Sequence, residues 1–209
     1  MSGIWIWLVA LLLYGAFRLW YDNWRGPLTP AEVEHYMSRL SGSASAEHTD
    51  LPTIRAFLEQ DDGREFVMLN VVRVHPGSVR HPATGGDAPA RTVLQDYFKN
   101  FARVLLRQGG HPAYAARPVG GYVDSWNAPP DPGWNMVGLM RYRSRRDMVI
   151  LATDPRFLNA HAFKIAAIDV TFSFPTAPML MLFVSPRVWV GLLLALLAAL
   201  AHLGVRLAA

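Results

Sequence analysis

The stretch from Val188 to Val205 (VWVGLLLALLAALAHLGV) contains no Asp, Glu, Lys or Arg. An uncharged apolar run of that length is what a helix needs to cross the ~30 Å hydrocarbon core of a bilayer. Pro186-Arg187 marks its start, and His202 lies near the far end, where headgroup water can reach it. A second run, Ile4 to Trp20 (IWIWLVALLLYGAFRLW), carries a single charge, Arg18. Trp5, Trp7, Trp20, Tyr21 and Trp24 crowd its two ends, as aromatics at a membrane interface do. The run lacks the basic n-region and small-residue cleavage site of a signal peptide, so it reads as a retained anchor. Two spans put both termini on one side and the intervening chain on the other. Arg18, Arg25 and Arg187 lie on the domain side, against Arg206 and the amino group. The positive-inside rule then places the domain in the cytoplasm, behind a bacterial inner membrane.

Composition narrows the rest. The chain is 52% hydrophobic with a formal net charge of +4, and it has no cysteine. Disulfides, thiolate catalysis and Cys-ligated zinc are therefore excluded. The positive balance points to anionic lipid headgroups. Nucleic acid is not expected, because no basic stretch is interleaved with stacking aromatics. Gly85-Gly86-Asp87 lacks the lysine and spacing of a phosphate loop, and the histidines form no HExxH or other metal-ligand pattern. No cofactor and no metal site are expected.

Between the anchors the patterning alternates helix and strand. Thr29-Pro30-Ala31-Glu32 has a Thr cap, a Pro at the first helical position and Glu three after the cap. Val33, Tyr36, Met37 and Leu40 share a face of that helix, and a second helix is expected from Leu51 to Gln60. Phe66 to Val74 (FVMLNVVRV) reads as a central strand whose one anomaly is Asn70. A long loop from His75 to Ala90 follows. Val93, Leu94, Tyr97, Phe98, Phe101, Val104 and Leu105 then recur at helical spacing, closed by Gly109-Gly110. Strands are expected over 113–126, with a bulge at Gly120-Gly121, and over Trp134 to Tyr142. Ser144 and Asp154-Pro155 start two helical segments, the second with Phe157, Leu158, His161, Ala162, Ile165 and Ile168 on one face. Asp169 to Phe174 alternates as a half-buried strand. The order strand, helix, strand, strand, helix, strand predicts an α+β, ferredoxin-like (split βαβ) domain with a four-stranded antiparallel sheet and two helices. The expected organisation is an anchor at 1–25, a helical linker segment at 26–63, the domain at 64–178 and a membrane helix at 186–206.

Met68-Leu69-Asn70-Val71-Val72-Arg73, Gly109-Gly110, Tyr142-Arg143-Ser144-Arg145-Arg146-Asp147 and Asp154-Pro155-Arg156-Phe157 together resemble a bacterial family of small domains of unknown function in the dimeric α/β-barrel superfamily. The resemblance covers about Arg64 to Phe174. It implies a ferredoxin-like protomer whose sheet packs on a second sheet, usually in a homodimer, with a pocket between sheet and helices. Small oxygenases of that superfamily place an Asn, a Trp and a His around an aromatic substrate. Asn70, Trp126 or Trp134, and His111 are the residues here that can imitate such a set. The plainer reading of Asn70 is a polar group satisfied by neighbouring backbone.

Three further groups stand out. Arg73, His75 and Arg91, with Arg80 and His81, can hold an anion at a pocket mouth. Arg141, Arg143, Arg145 and Arg146 form the densest basic cluster, suited to headgroups or an acidic partner. His161, on an apolar helix face, reads as a packed core histidine. Two functions are compatible with these residues. One is a membrane-anchored accessory or assembly module, a subunit or partner of a larger membrane protein complex or a homodimer. The other is a cofactor-independent oxygenase or isomerase-type enzyme acting on a lipophilic substrate.

Overall fold

The computed structural model of the chain describes residues 3–43, 46–179 and 185–207. It divides into two compact units, Met1–Trp24 with Met179–Ala209, and Arg25–Pro178.

The first unit is a pair of helices, α1 (Ile4–Tyr21) and α7 (Pro186–Leu207), both long and apolar enough to cross a membrane. Their leucines are largely exposed. The pair is tied at one end by polar contacts. Asp22 accepts from Arg18 Nε and from Arg187 Nε, each at 2.6 Å. Tyr14 donates its hydroxyl proton to the Arg187 carbonyl at 3.0 Å. Gly191 lies against the Tyr14 ring, where an added Cβ would sit 3.3 Å from Cε2.

The second unit begins with α2 (Pro30–Ser41), a short 3-10 turn (Ala46–His48) and α3 (Leu51–Glu59). The Thr29–Glu32 capping box forms as the spacing predicts. These helices are not a separate linker. Leu28, Val33, Met37, Leu40 and Leu58 are buried in the same core as the sheet, because their apolar faces need a partner that so short a helix pair cannot supply itself.

Strand β1 (Phe66–Val74) is followed by a hairpin, β2 (Ser78–Arg80) and β3 (Asp87–Pro89), then α4 (Ala90–Arg107) and β4 (His111–Ala116). After the 117–135 loop come β5 (Met136–Tyr142), α5 (Arg145–Ala152), α6 (Pro155–Ala167) and β6 (Ile168–Thr176). The four long strands form one antiparallel sheet in the order β4-β5-β1-β6, with β1 inside it. The α+β class and the four-stranded antiparallel sheet are those expected from sequence.

Local boundaries moved where turn chemistry outweighed β propensity. The strand expected over 113–126 is His111–Ala116, and its irregularity falls between Pro112 and Tyr114. Gly120-Gly121 is loop instead, with the Tyr122 amide held by Asp131 Oδ2 at 3.0 Å. The 75–90 loop is pinned by its own hairpin and by His81, whose Nδ1 accepts from the amides of Ala83 and Thr84. On α6 the inward face runs through Ala160 and Ala167, leaving Ile165 40% exposed. At the end of α4, Gly109 takes φ +70°, and Gly110 passes so close to Leu105 and the Arg141 carbonyl that a Cβ would clash.

Candidate functional site

Because side chains alternate along a strand, β1 sends Met68, Asn70 and Val72 toward the helices and Val67, Leu69 and Val71 to the opposite face. Between the first set and helices α4 and α6 lies a cavity of about 200 Å³. Tyr97, Phe98 and Phe101 from α4 and Phe157 from α6 line it, with Met68, Met136, Met140 and Met148. Methionine and aromatic side chains make such a wall apolar yet adaptable. Burial pushes the phenols of Tyr97 and Tyr142 well above their ordinary range, so both rings stay neutral.

Asn70 sits in this wall with its polar atoms already used. Its Nδ2 donates to the Met68 carbonyl at 3.1 Å and to that of Gly138 at 3.4 Å, and its Oδ1 accepts from Ser173 Oγ at 2.7 Å. Asn70 therefore ties β5, β1 and β6 together across one face of the sheet. Thr171, also at the cavity, donates to the Val71 carbonyl at 2.8 Å.

Among the described residues, Lys164 is the only charged side chain on the cavity wall. It is half-buried, and desolvation lowers its pKa below the ordinary lysine value of 10.5. One turn earlier His161 packs on Phe157 with ring centroids 5.5 Å apart. Burial first, then the charges of Lys164 and His48, bring its pKa down to about 4. Its Nδ1 is buried without a hydrogen-bond partner. His161 is thus a neutral packing group beside the lysine.

A second concavity, about 550 Å³, opens at the end of β1. Of the residues expected to meet an anion it gathers Arg73, His75 and Arg91, but not Arg80 or His81, together with Asp169 and Asn135. Asp169 already pairs with Arg73 and lies 4.0 Å from His75 Nδ1. Arg73 Nη1 also donates to the Pro132 carbonyl at 2.7 Å, and Asn135 Oδ1 accepts from the Val74 amide at 2.6 Å. Arg73 is thus committed to Asp169 and to holding the 132–135 segment to β1.

The remaining expected residues are dispersed. His111 begins β4 opposite Arg141 and does not line the cavity; desolvation, helped by Arg141, lowers its pKa. Trp126 is 83% exposed in the 117–135 loop, bonded to Asp124 at 2.5 Å. Trp134 packs edge-on against Phe172, ring centroids 5.2 Å apart. Asn70, His111 and Trp126 are therefore not gathered around one volume.

The arginine cluster expected at the surface is turned inward. Arg141 and Arg146 are 2% and 3% exposed. Arg141 pairs with Glu65, Arg143 with Asp147 at 2.6 Å and Arg146 with Glu32 at 3.0 Å. Arg145 reaches Asp61 and the Phe57 carbonyl, with its guanidinium 4.4 Å from the Phe57 ring centroid. A dense run of arginines in sequence became an internal network because Glu32, Asp61 and Glu65 fold back onto it and Asp147, one helical turn on, pairs with Arg143.

Lys164, Ser173, Thr171 and Asp169 escaped the sequence reading as site residues. Lys164 carried a usable signal, since it lies four residues from Ala160 and seven from Phe157 on the inward helical face. Among the described residues no cluster of three or more His, Asp or Glu could hold a metal ion.

No protein-family model matches this chain. No curated protein matches it either. It is similar in structure to a crystallised protein of unknown function from Rhodopseudomonas palustris. That match has 21% identity and a TM-score of 0.53, and covers 64% of this chain and 95% of the other. A methylated form of the same protein gives 21% identity, a TM-score of 0.52 and coverage of 63% and 93%. At that identity the likeness is one of fold alone.

Proposed function

We propose that this chain is a two-pass bacterial inner-membrane protein whose central, ferredoxin-like domain serves as an accessory or assembly module. The strand order β4-β5-β1-β6, with helical connections after β1 and after β5, supports the split βαβ description. The two long apolar helices support the membrane placement, and the flanking arginines favour a cytoplasmic domain.

The observation that carries the accessory reading is the sheet face opposite the helices. Leu69, Val71, Val137 and Leu139 are only half-buried there, and Phe172 and Phe174 remain 46% and 47% exposed. An exposed apolar patch of this kind marks an interaction surface. An apolar, uncharged sheet centre is complementary to itself, so its occupant is a second copy of the chain related by two-fold symmetry. A photo-crosslinking amino acid at position 172, irradiated in native membranes, should yield the chain's own dimer. An adduct with a different membrane protein replaces the second copy with another subunit. Absence of any adduct overturns the docking role. Protease added to spheroplasts should leave the central domain intact; its removal reverses the topology.

The cavity supports a second reading, a cofactor-independent enzyme acting on a lipophilic substrate, because Asn70 stands in its wall. Any turnover found should disappear in Asn70→Ala, and unchanged turnover sinks that reading.

A further inference from the structure

We infer that the cavity between the sheet and helices α4 and α6 is a binding site for a small apolar monocarboxylate, anchored by Lys164. The inference is independent of what docks on the opposite face of the sheet. A cavity lined by Tyr97, Phe98, Phe101 and Met140 and measuring about 200 Å³ has room for one aromatic ring or a short acyl chain, since apolar cavities of ~150 Å³ take up benzene. Two of its lining residues, Thr171 and Ser173, lie on the edge strand β6 and are exposed.

The polar inventory of the wall selects the headgroup. Asn70 and Ser173 bond to each other, and Thr171 bonds to backbone, so these groups are already engaged. Lys164 differs: among the described residues no carboxylate lies within ion-pair distance of its ammonium. A half-buried lysine on the wall of an apolar cavity, with no carboxylate paired to it, is stabilised by an anion that enters with its own apolar body. A carboxylate on such a body satisfies both requirements, whereas a neutral alcohol of the same shape supplies only the second. The lowered lysine pKa is what the unliganded state should show, and a bound carboxylate would raise it again.

The sequence offers an internal control, because its lysines are Lys99 and Lys164 alone. Lys99 is exposed and paired with Asp96 at 2.8 Å. The test uses the full chain in nanodiscs of zwitterionic lipid, with benzoate and benzyl alcohol as probes and reductive dimethylation of lysines read by peptide mass spectrometry. Benzoate should slow labelling of Lys164 about tenfold more than benzyl alcohol does, the ratio expected for one charge-assisted contact. Labelling of Lys99 should not change. In Lys164→Met, benzoate affinity measured by NMR of the 13C-carboxyl probe should fall to that of benzyl alcohol, while benzyl alcohol binding persists. Lys164→Gln poses the same question if the Met variant fails to fold. Equal protection by the two probes overturns the assignment, as does equal protection of both lysines or unchanged benzoate affinity in the variants.

Discussion

Replacing Glu32 by Gln removes the charge that the buried guanidinium of Arg146 depends on. Arg146 is 3% exposed and contacts Glu32 through Nη2 at 3.0 Å and Nε at 3.2 Å. It also donates to the carbonyls of Gly26 and Pro27, both at 2.8 Å. The Arg146 hydrogen bonds, the Thr29 amide and the Arg146 charge hold the Glu32 carboxyl at about 2, below its ordinary 4.5. At about 1.4 kcal/mol per pH unit, that difference corresponds to about 3 kcal/mol of folding stability. Glu32 keeps 22% of its side-chain surface open to solvent, so screening reduces the figure to about 2 kcal/mol. The Arg25 contact at 2.6 Å adds little, since Arg25 is exposed. Because the folded pKa is the lower one, this stability is present above about pH 4.5 and is lost as the pH falls toward 2. Pulse-labelled hydrogen exchange of the β1 peptide along a urea series should therefore show Glu32→Gln less stable by about 2 kcal/mol at pH 7. The gap should shrink to about half or less at pH 3. A difference below about 0.5 kcal/mol at pH 7, the size of an ordinary surface substitution, refutes the reasoning, and so does a gap that ignores pH.

Three further outcomes can be checked by similar means. Gly110→Ala should destabilise the domain by about 1–3 kcal/mol in urea unfolding, because its Cβ would lie 2.4 Å from Leu105 Cδ1 and 3.0 Å from the Arg141 carbonyl. His161→Leu should stabilise it by about 1 kcal/mol at pH 7, since the partnerless Nδ1 disappears. With a folded His161 pKa of about 4 against an ordinary 6.5, wild-type stability falls as the pH drops through that window, and the variant should lack that part of the slope. Asp22→Ala should loosen the α1–α7 pair by about 2 kcal/mol in steric trapping, because Arg18 and Arg187 both lose their shared acceptor.

The sequence by itself determined what depends on neighbours in the chain. The charge-free run that ends it and the apolar run near its start emerge as two long apolar helices. The Thr29 and Ser144 caps, the Asp154-Pro155 restart and the Gly109-Gly110 stop all act through atoms within a few residues, so their spacing was enough to place them. The period-two alternation of β1 separated its two faces correctly for the same reason. Tertiary structure alone decided where charge ended up. Nothing in the run Arg141 to Arg146 reveals that Glu65, Asp61 and Glu32 will help neutralise it, since those partners lie 76 to 114 positions upstream of the arginines they meet. Likewise the apparent trio of Asn70, His111 and Trp126 dissolved once the 117–135 loop carried Trp126 into solvent and β4 placed His111 opposite Arg141. The spacing of Lys164 from Ala160 and Phe157 could place it on the inward helical face, but not on the wall of a cavity. That no described carboxylate pairs with the lysine is a property of packing in three dimensions, and the ligand anchor inferred above rests on that packing.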